Sequence, residues 1–374
     1  MIDIAIIGAG AVGAAAAYAL TKRGARVCVY DQFEFCGERG SSHGATRLFR
    51  TAYFEHPNYV PILKRARALW RDLERAAGDE LYFETGVLEA GPAHGPLISG
   101  LRTAIAAHEI AIEEMNACET MKRFPQFALP EDYVVFLERE AGFLFAEKSV
   151  AAMLRLAAQA GARLHPATKV EDWEASENGV SVKTAQGEAR FDRLVMAPGV
   201  WANDMLRLPS KLVAPTPKTL FWRRPETGAF NLDEGFPPFA IETEDARLFY
   251  GFPAIDELGV KAAEHTGGEP IARPEDESAE PDPEEGAALD GFLSDFTPAL
   301  AGRSGPHKRC RYEMSPDGDF IIDTHPSSDR VSFAAGLSGH GFKFAPALGE
   351  ALADLALNGE AGPEWEFLSL ARFL

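Results

Sequence analysis

Residues 2 to 7 are apolar except for Asp3 and are closed by Gly8, the pattern of a strand buried on both faces. The Ala- and Val-rich stretch from 11 to 23 predicts a helix, with Lys22 and Arg23 in its last turn and Gly24 at the helix-ending position. A second strand is expected over 26–30, ending at Asp31. Tyr59, Leu63, Ala66, Trp70, Leu73 and Ala77 recur at alternating spacings of four and three, the stripe of an amphipathic helix. Another helix is expected over 150–160, stopped by Gly161, followed by short strands near 170, 180–183 and 194–197. The chain closes on a strand over 331–335, a glycine-rich turn and a helix over 346–357. Pro346 is tolerated there because the first helical N–H has no partner to lose. Helix–strand alternation at both ends, around a middle of isolated strands, predicts an α/β domain built from distant segments with a mainly antiparallel domain inserted.

Composition narrows what such a molecule can bind. The 374 residues carry a formal charge of −19. A surface so acidic repels phosphate backbones and anionic lipid, which disfavours nucleic-acid and membrane partners. No apolar stretch approaches the ~18–20 residues that span a bilayer, and no basic start followed by an apolar core suggests a secretory signal. Cys28, Cys36, Cys118 and Cys310 are scattered without a C-x-x-C pair, as expected of reduced thiols in a cytoplasmic protein. Pro, Glu and Asp crowd together over 270–285, which reads as a solvated loop.

Five segments could carry chemistry. Gly8-Ala9-Gly10-Ala11-Val12-Gly13 directly follows a strand and opens a helix. Gly8 permits the tight turn, Gly10 lets backbone approach a pyrophosphate, and Gly13 allows close helix–strand packing. Asp31 follows about 20 residues later, where an acid accepts ribose hydroxyls. This is a dinucleotide-binding pattern that does not choose NAD from FAD. Next, Gly40-Ser41-Ser42-His43-Gly44-Ala45-Thr46-Arg47-Leu48-Phe49-Arg50 places two arginines on one face if helical. They suit an anion, or equally ordinary surface ion pairs. Gly336-Leu337-Ser338-Gly339-His340-Gly341-Phe342-Lys343-Phe344 offers backbone N–H groups to a charged oxygen, or is simply a glycine-rich connection. Lys261 and His265, taken alone, fit the surface as well as a site. Cys310 lies within Lys308-Arg309-Cys310-Arg311-Tyr312, where adjacent cations favour the reactive thiolate.

Taken together, these segments resemble the monomeric sarcosine oxidase family, which includes N-methyltryptophan and pipecolate oxidases, among the D-amino-acid-oxidase-like flavoproteins. The likeness runs from Gly8-Ala9-Gly10 through Gly40-Ser41-Ser42-His43-Gly44-Ala45-Thr46-Arg47, Thr85-Gly86-Val87-Leu88, Tyr250-Gly251-Phe252-Pro253 and Cys310-Arg311-Tyr312. It continues through Phe320-Ile321-Ile322-Asp323 to Ser338-Gly339-His340-Gly341-Phe342-Lys343-Phe344. It implies a Rossmann-like FAD-binding domain over 1–85, 145–215 and 320–374, and an inserted α+β substrate domain over 86–144 and 216–319.

The resemblance further implies FAD joined to Cys310 as a thioether. Gly8, Gly10, Gly13, Asp31, Ser42, His43, Thr46, Val170, Gly199, Trp201, Gly339, Gly341 and Phe342 would hold it. Arg50 and Lys343 match the pair that holds a substrate carboxylate, and Tyr250, His265 and Tyr312 match residues lining the pocket. Arg47 and Lys261 match basic residues beside the flavin ring, with Lys261 at the oxygen-activating position. The segment Phe239-Ala240-Ile241 lacks a methionine that narrows the pocket in sarcosine oxidases, so a larger substrate is expected. The implied activity is oxidation of a secondary or N-methyl amino acid by oxygen, giving an imine and hydrogen peroxide, in a monomer. A flavin dehydrogenase using another acceptor and a noncatalytic flavin-binding protein are the alternatives.

Overall fold

The computed structural model describes residues 1–208, 210–278 and 280–373. Its first layer is a six-stranded sheet in the order Ile321–His325, Ser328–Ala335, Arg193–Met196, Asp3–Ile7, Arg26–Tyr30, Arg163–His165. All neighbours pair in parallel except Ile321–His325, which runs antiparallel at the edge. The central strand Asp3–Ile7 is buried on both faces, which is why its sequence does not alternate. One face is covered by helices Ala11–Lys22, Tyr59–Ala77, Ala146–Gln159 and Ala345–Asn358. The alanines of Ala11–Lys22 leave no bulk between this helix and its neighbours, so backbones approach closely. The other face packs against a three-stranded antiparallel sheet formed by Val170–Ser176, Gly179–Thr184 and Gly187–Phe191.

The second layer is an eight-stranded sheet in the order His307–Met314, Ala214–Arg223, Val260–Glu264, Leu248–Phe252, Phe239–Glu242, Val87–Pro92, Tyr133–Glu138, Glu113–Asn116. It is antiparallel apart from the pairing of Phe239–Glu242 with Val87–Pro92. Helix Pro283–Phe296 seals one face through Leu289, Phe292, Leu293 and Phe296. A small sheet of Thr46–Phe49, Gly142–Phe145 and Tyr82–Phe83 links the layers, and Gly142–Phe145 straddles the boundary expected at residue 145.

Two local expectations need correction and a third needs refining. Residues 46–49 are a strand paired with Gly142–Phe145, not a helix, so Arg47 and Arg50 do not share a helical face. The helix expected from 150 begins at Ala146, because the Glu147 carboxylate in its first turn accepts the amides of Gly44 and Ala45 and fixes that end. The acidic stretch 270–285 is mostly exposed, as expected of a solvated loop, but it is not featureless. It contains the turn Pro274–Asp276 and the start of helix Pro283–Phe296, and several of its acids have partners, Asp276 with Arg273 and Asp282 with the Glu284 amide among them. Glu275 accepts the Trp201 indole at 2.8 Å, Glu277 is paired with Arg309 and Arg311, and Glu285 with Lys218 and Arg309. Glu277 and Glu285 also neutralise cations on the neighbouring strands. Among the described residues no helix is long and apolar enough to cross a membrane.

Candidate active site

One elongated cavity runs between the two layers, and most of the expected site residues meet along it. At one end lies the turn after Asp3–Ile7. Gly8 has φ +95°, and a Cβ there would sit 2.2 Å from the Ala197 carbonyl oxygen. A Cβ on Gly13 would sit 1.8 Å from the Gly8 oxygen, so that position takes part in the turn without facing the cavity. Gly10 opens helix Ala11–Lys22, and the Ala11 amide donates to Ser42 Oγ at 3.0 Å. The amides and positive dipole end here suit a pyrophosphate. Asp31 closes Arg26–Tyr30. Its two oxygens accept the amides of Ala9 and Phe33 at 2.8 and 2.9 Å, and keep lone pairs for ribose hydroxyls. Val170, Gly199 and Trp201 line the same end. A tight turn whose Gly8 and Gly13 admit no Cβ, the helix amides beside it and a ribose-positioned acid fit FAD.

Toward the middle, Arg47 donates to the carbonyls of Ser41, His43 and Thr46 at 2.9, 2.6 and 2.8 Å and lies 3.8 Å from Cys310 Sγ. Its guanidinium is therefore locked beside the buried thiol. The flanking cations contribute less than the sequence suggested, because side chains alternate across a strand. Lys308 is paired with Glu38, Arg309 with Glu277 and Glu285, and Arg311 with Glu277. Arg47, distant in sequence, supplies the cation. His43, Thr46 and Lys261 do not line the cavity but lie buried behind it. Burial pulls the His43 imidazole down to about 4, leaving it neutral. The Lys261 ammonium donates to the carbonyls of Gly44 and Thr46 at 2.8 and 2.6 Å and lies over the Phe252 ring. Burial and the nearby Arg47 hold it well below the usual lysine range.

The far end holds Tyr250, His265 and Tyr312 with Arg50 and Lys343. Burial takes His265 down to about 3, and the neutral ring shares a hydrogen bond at Nδ1 with the Tyr312 hydroxyl, 3.1 Å away. Gly339 is pressed against the Tyr312 ring, where a Cβ would fall 2.4 Å from Cε2. Gly341 and Phe342 continue the wall to Lys343, which starts the last helix's approach through the turn Phe342–Phe344. Lys343 Nζ donates to the His340 carbonyl at 2.9 Å and reaches the Tyr53 hydroxyl at 3.4 Å. Burial, aided by Arg50, draws Lys343 down to about 7. Arg50 lies between the rings of Tyr53 and Phe54, with its carbon 4.7 and 4.8 Å from their centroids.

Sequence reading missed several members of this end. Arg50 donates to Glu55 at 2.9 Å and lies 3.4 Å from Glu89, so the expected cationic chamber already contains acids. Tyr53 joins Arg50 to Lys343, and His340 accepts the Tyr53 hydroxyl at Nδ1, 2.6 Å away. His340 belonged to the glycine-rich segment already singled out. Tyr53, Glu55 and Glu89 offered no local signal beyond polarity. Ala240 and Leu248 give the wall an apolar stretch.

A family model described as FAD dependent oxidoreductase matches residues 3–355. The chain is 34% identical, over 99% of both lengths, to an N-methyl-L-tryptophan oxidase of Yersinia pestis. Among solved structures it resembles NikD, an unusual amino acid oxidase essential for nikkomycin biosynthesis. The TM-score is 0.86 and the identity 26%, over 98% of this chain and 97% of that one. An L-proline dehydrogenase from P. horikoshii shares the fold, with TM-score 0.85 at 22% identity over 100% and 97% of the two chains. With the cavity's cradle and the full-length match in agreement, the chain belongs to the FAD-dependent oxidoreductase family.

Proposed function

We propose that the protein oxidises the CH–NH bond of a secondary or N-methyl amino acid with oxygen as acceptor, giving an imine and hydrogen peroxide. The observation that carries this reading is the meeting of Arg50 and Lys343 at the end of a dinucleotide-type cavity, beside Tyr250, His265 and Tyr312. Arg50 and Lys343 hold the substrate carboxylate by charge-assisted hydrogen bonds, Arg50 in a planar fork and Lys343 as a point charge. That anchoring fixes the amine-bearing carbon relative to the rest of the cavity, and such orientation removes several kcal/mol from a barrier. His265 stays neutral at any working pH, and burial keeps the Tyr250 hydroxyl protonated, up to about 12. His265 and Tyr250 therefore contribute no negative charge that would hold an ammonium, which favours the uncharged amine from which electrons can leave. FAD, when bound, accepts the two electrons and the hydrogen lost from the substrate carbon.

Arg47 and the amides of the Gly339–Phe342 turn supply positive potential where negative charge gathers. Lys261 is the oxygen-activating residue, held behind the cavity wall by the carbonyls of Gly44 and Thr46. Cys310 attaches FAD through a thioether, a reading supported by the Arg47 guanidinium 3.8 Å from its sulfur. Segments 1–85, 145–215 and 320–374 form the FAD-binding domain and the remainder the substrate domain. The small Ala240 in this apolar wall, in the segment without a methionine, suits a substrate larger than sarcosine. The protein acts as a cytoplasmic monomer. Oxygen uptake and peroxide release with N-methyl-L-tryptophan, sarcosine, proline and pipecolate test the reading. Substrate-dependent peroxide supports it, whereas turnover only with an added quinone or dye identifies a dehydrogenase.

A further inference from the structure

Strand Val87–Pro92 sends one carboxyl group into the layer behind the substrate end of the cavity. Glu89 is 0% exposed, and neither of its oxygens has a hydrogen-bond partner among the described residues. Its nearest cation is Arg50, whose Nε lies 3.4 Å from Oε1. Arg50 is simultaneously bound through Nη2 to Glu55, which lines the cavity. The other charged groups facing Glu89 are Glu138, whose carboxylate accepts the amides of Thr51 and Ala52, and Lys343 from the turn Phe342–Phe344. On the strands flanking it, Glu89 is opposite Ala240 and Phe136, which carry no charge.

This arrangement crowds carboxylates around one guanidinium. If Glu55 and Glu89 were both ionised they would cancel Arg50 and Lys343 together, and an arriving substrate carboxylate would find no net attraction. A buried carboxyl lacking hydrogen bonds is also the group on which an uncompensated charge is most costly. We propose that Glu89 is a positioning residue that keeps its proton while substrate is bound, leaving the Arg50 charge to the substrate carboxylate, and that its ionisation weakens the site for anions. This rests on the reading of Arg50 as the carboxylate holder. Burial pushes the Glu89 carboxyl up to about 8 against the pull of Arg50, which puts the change in an accessible range.

Benzoate titrations of the holoenzyme, followed by flavin absorbance at about pH 6 and about pH 9, test this. Above the Glu89 transition, affinity that needs its proton falls ~10-fold per pH unit. Glu89→Gln, always neutral, should therefore bind benzoate about tenfold more tightly than wild type at the higher pH, and within about twofold at the lower. The remaining pH dependence belongs to Lys343. Glu89→Leu should flatten the same limb without any hydrogen bond, and Glu89→Asp should restore it. Either neutral variant suffices if the other does not fold. Neutral variants that keep the wild-type limb overturn the proposal. Arg50→Ala separates the two levels: it should abolish benzoate binding at both pH values. If it leaves affinity unchanged, the carboxylate reading itself fails, and the role of Glu89 with it.

Discussion

Substituting Gly13 by alanine tests the cofactor cradle at its tightest point. The added Cβ would lie 1.8 Å from the Gly8 oxygen and 2.8 Å from the Gly8 carbon. An ordinary contact is about 3.5 Å, so the helix start and the turn must separate by more than ~1.5 Å. Gly8 cannot yield cheaply, because it holds φ +95° and is itself pressed against the Ala197 carbonyl. The cost belongs at or above the top of the ~1–3 kcal/mol range for overpacking, and it falls on the backbone amides that face the cofactor. Purified Gly13→Ala should carry far less flavin than wild type and melt about 4 °C or more lower. Gly24→Ala is the control. Gly24 also has positive φ, but nothing lies within 4 Å of its added Cβ. It should lose only about 1 kcal/mol to backbone strain and retain full flavin. A Gly13→Ala protein with wild-type flavin content and an unchanged melting temperature would refute the close-packing argument.

Cys310→Ser should leave flavin that acid precipitation releases into the supernatant, while the wild-type flavin stays with the protein; retention in the variant would exclude this linkage. Lys261→Met should slow the reaction with oxygen far more than anaerobic reduction by substrate in stopped flow, and equal slowing would reject the role given to this lysine. Stability should also respond to Glu89. Its carboxyl is raised from 4.5 to about 8 in the folded state, so between those values the native protein binds more protons and loses stability as pH rises. Glu89→Gln should remove that loss, so its melting temperature relative to wild type should climb from pH 5 to pH 8 by the equivalent of about 1 kcal/mol per unit. A difference independent of pH would mean that Glu89 does not titrate in this window.

Much of the nucleotide-binding half was legible because its signals are local. The run before Gly8, the glycine spacing, Asp31 and the stripe from Tyr59 to Ala77 each declare an element within a few residues. The active end was less legible, because its chemistry comes from pairing distant strands. Arg47 and Arg50 could be singled out by type, but their strand conformation depends on pairing with Gly142–Phe145 almost a hundred residues away. The basic neighbours of Cys310 suggested the right thiol for an incomplete reason. Strand pleating and the acids Glu277 and Glu285 divert those charges, and Arg47 takes their place. Glu89 sits in an otherwise apolar strand, where a single polar position ordinarily marks a solvent-facing residue. Only the folded chain shows that this position faces Arg50.

The most direct test is anaerobic mixing of the holoenzyme with N-methyl-L-tryptophan and, separately, with N-methyltryptamine, which keeps the amine and indole but lacks the carboxylate. If Arg50 and Lys343 orient the substrate through that group, the amino acid should bleach the flavin absorbance rapidly and the decarboxylated amine at least ~100-fold more slowly. Equal rates of bleaching, or none with any amino acid of the N-methyl series, would contradict the account.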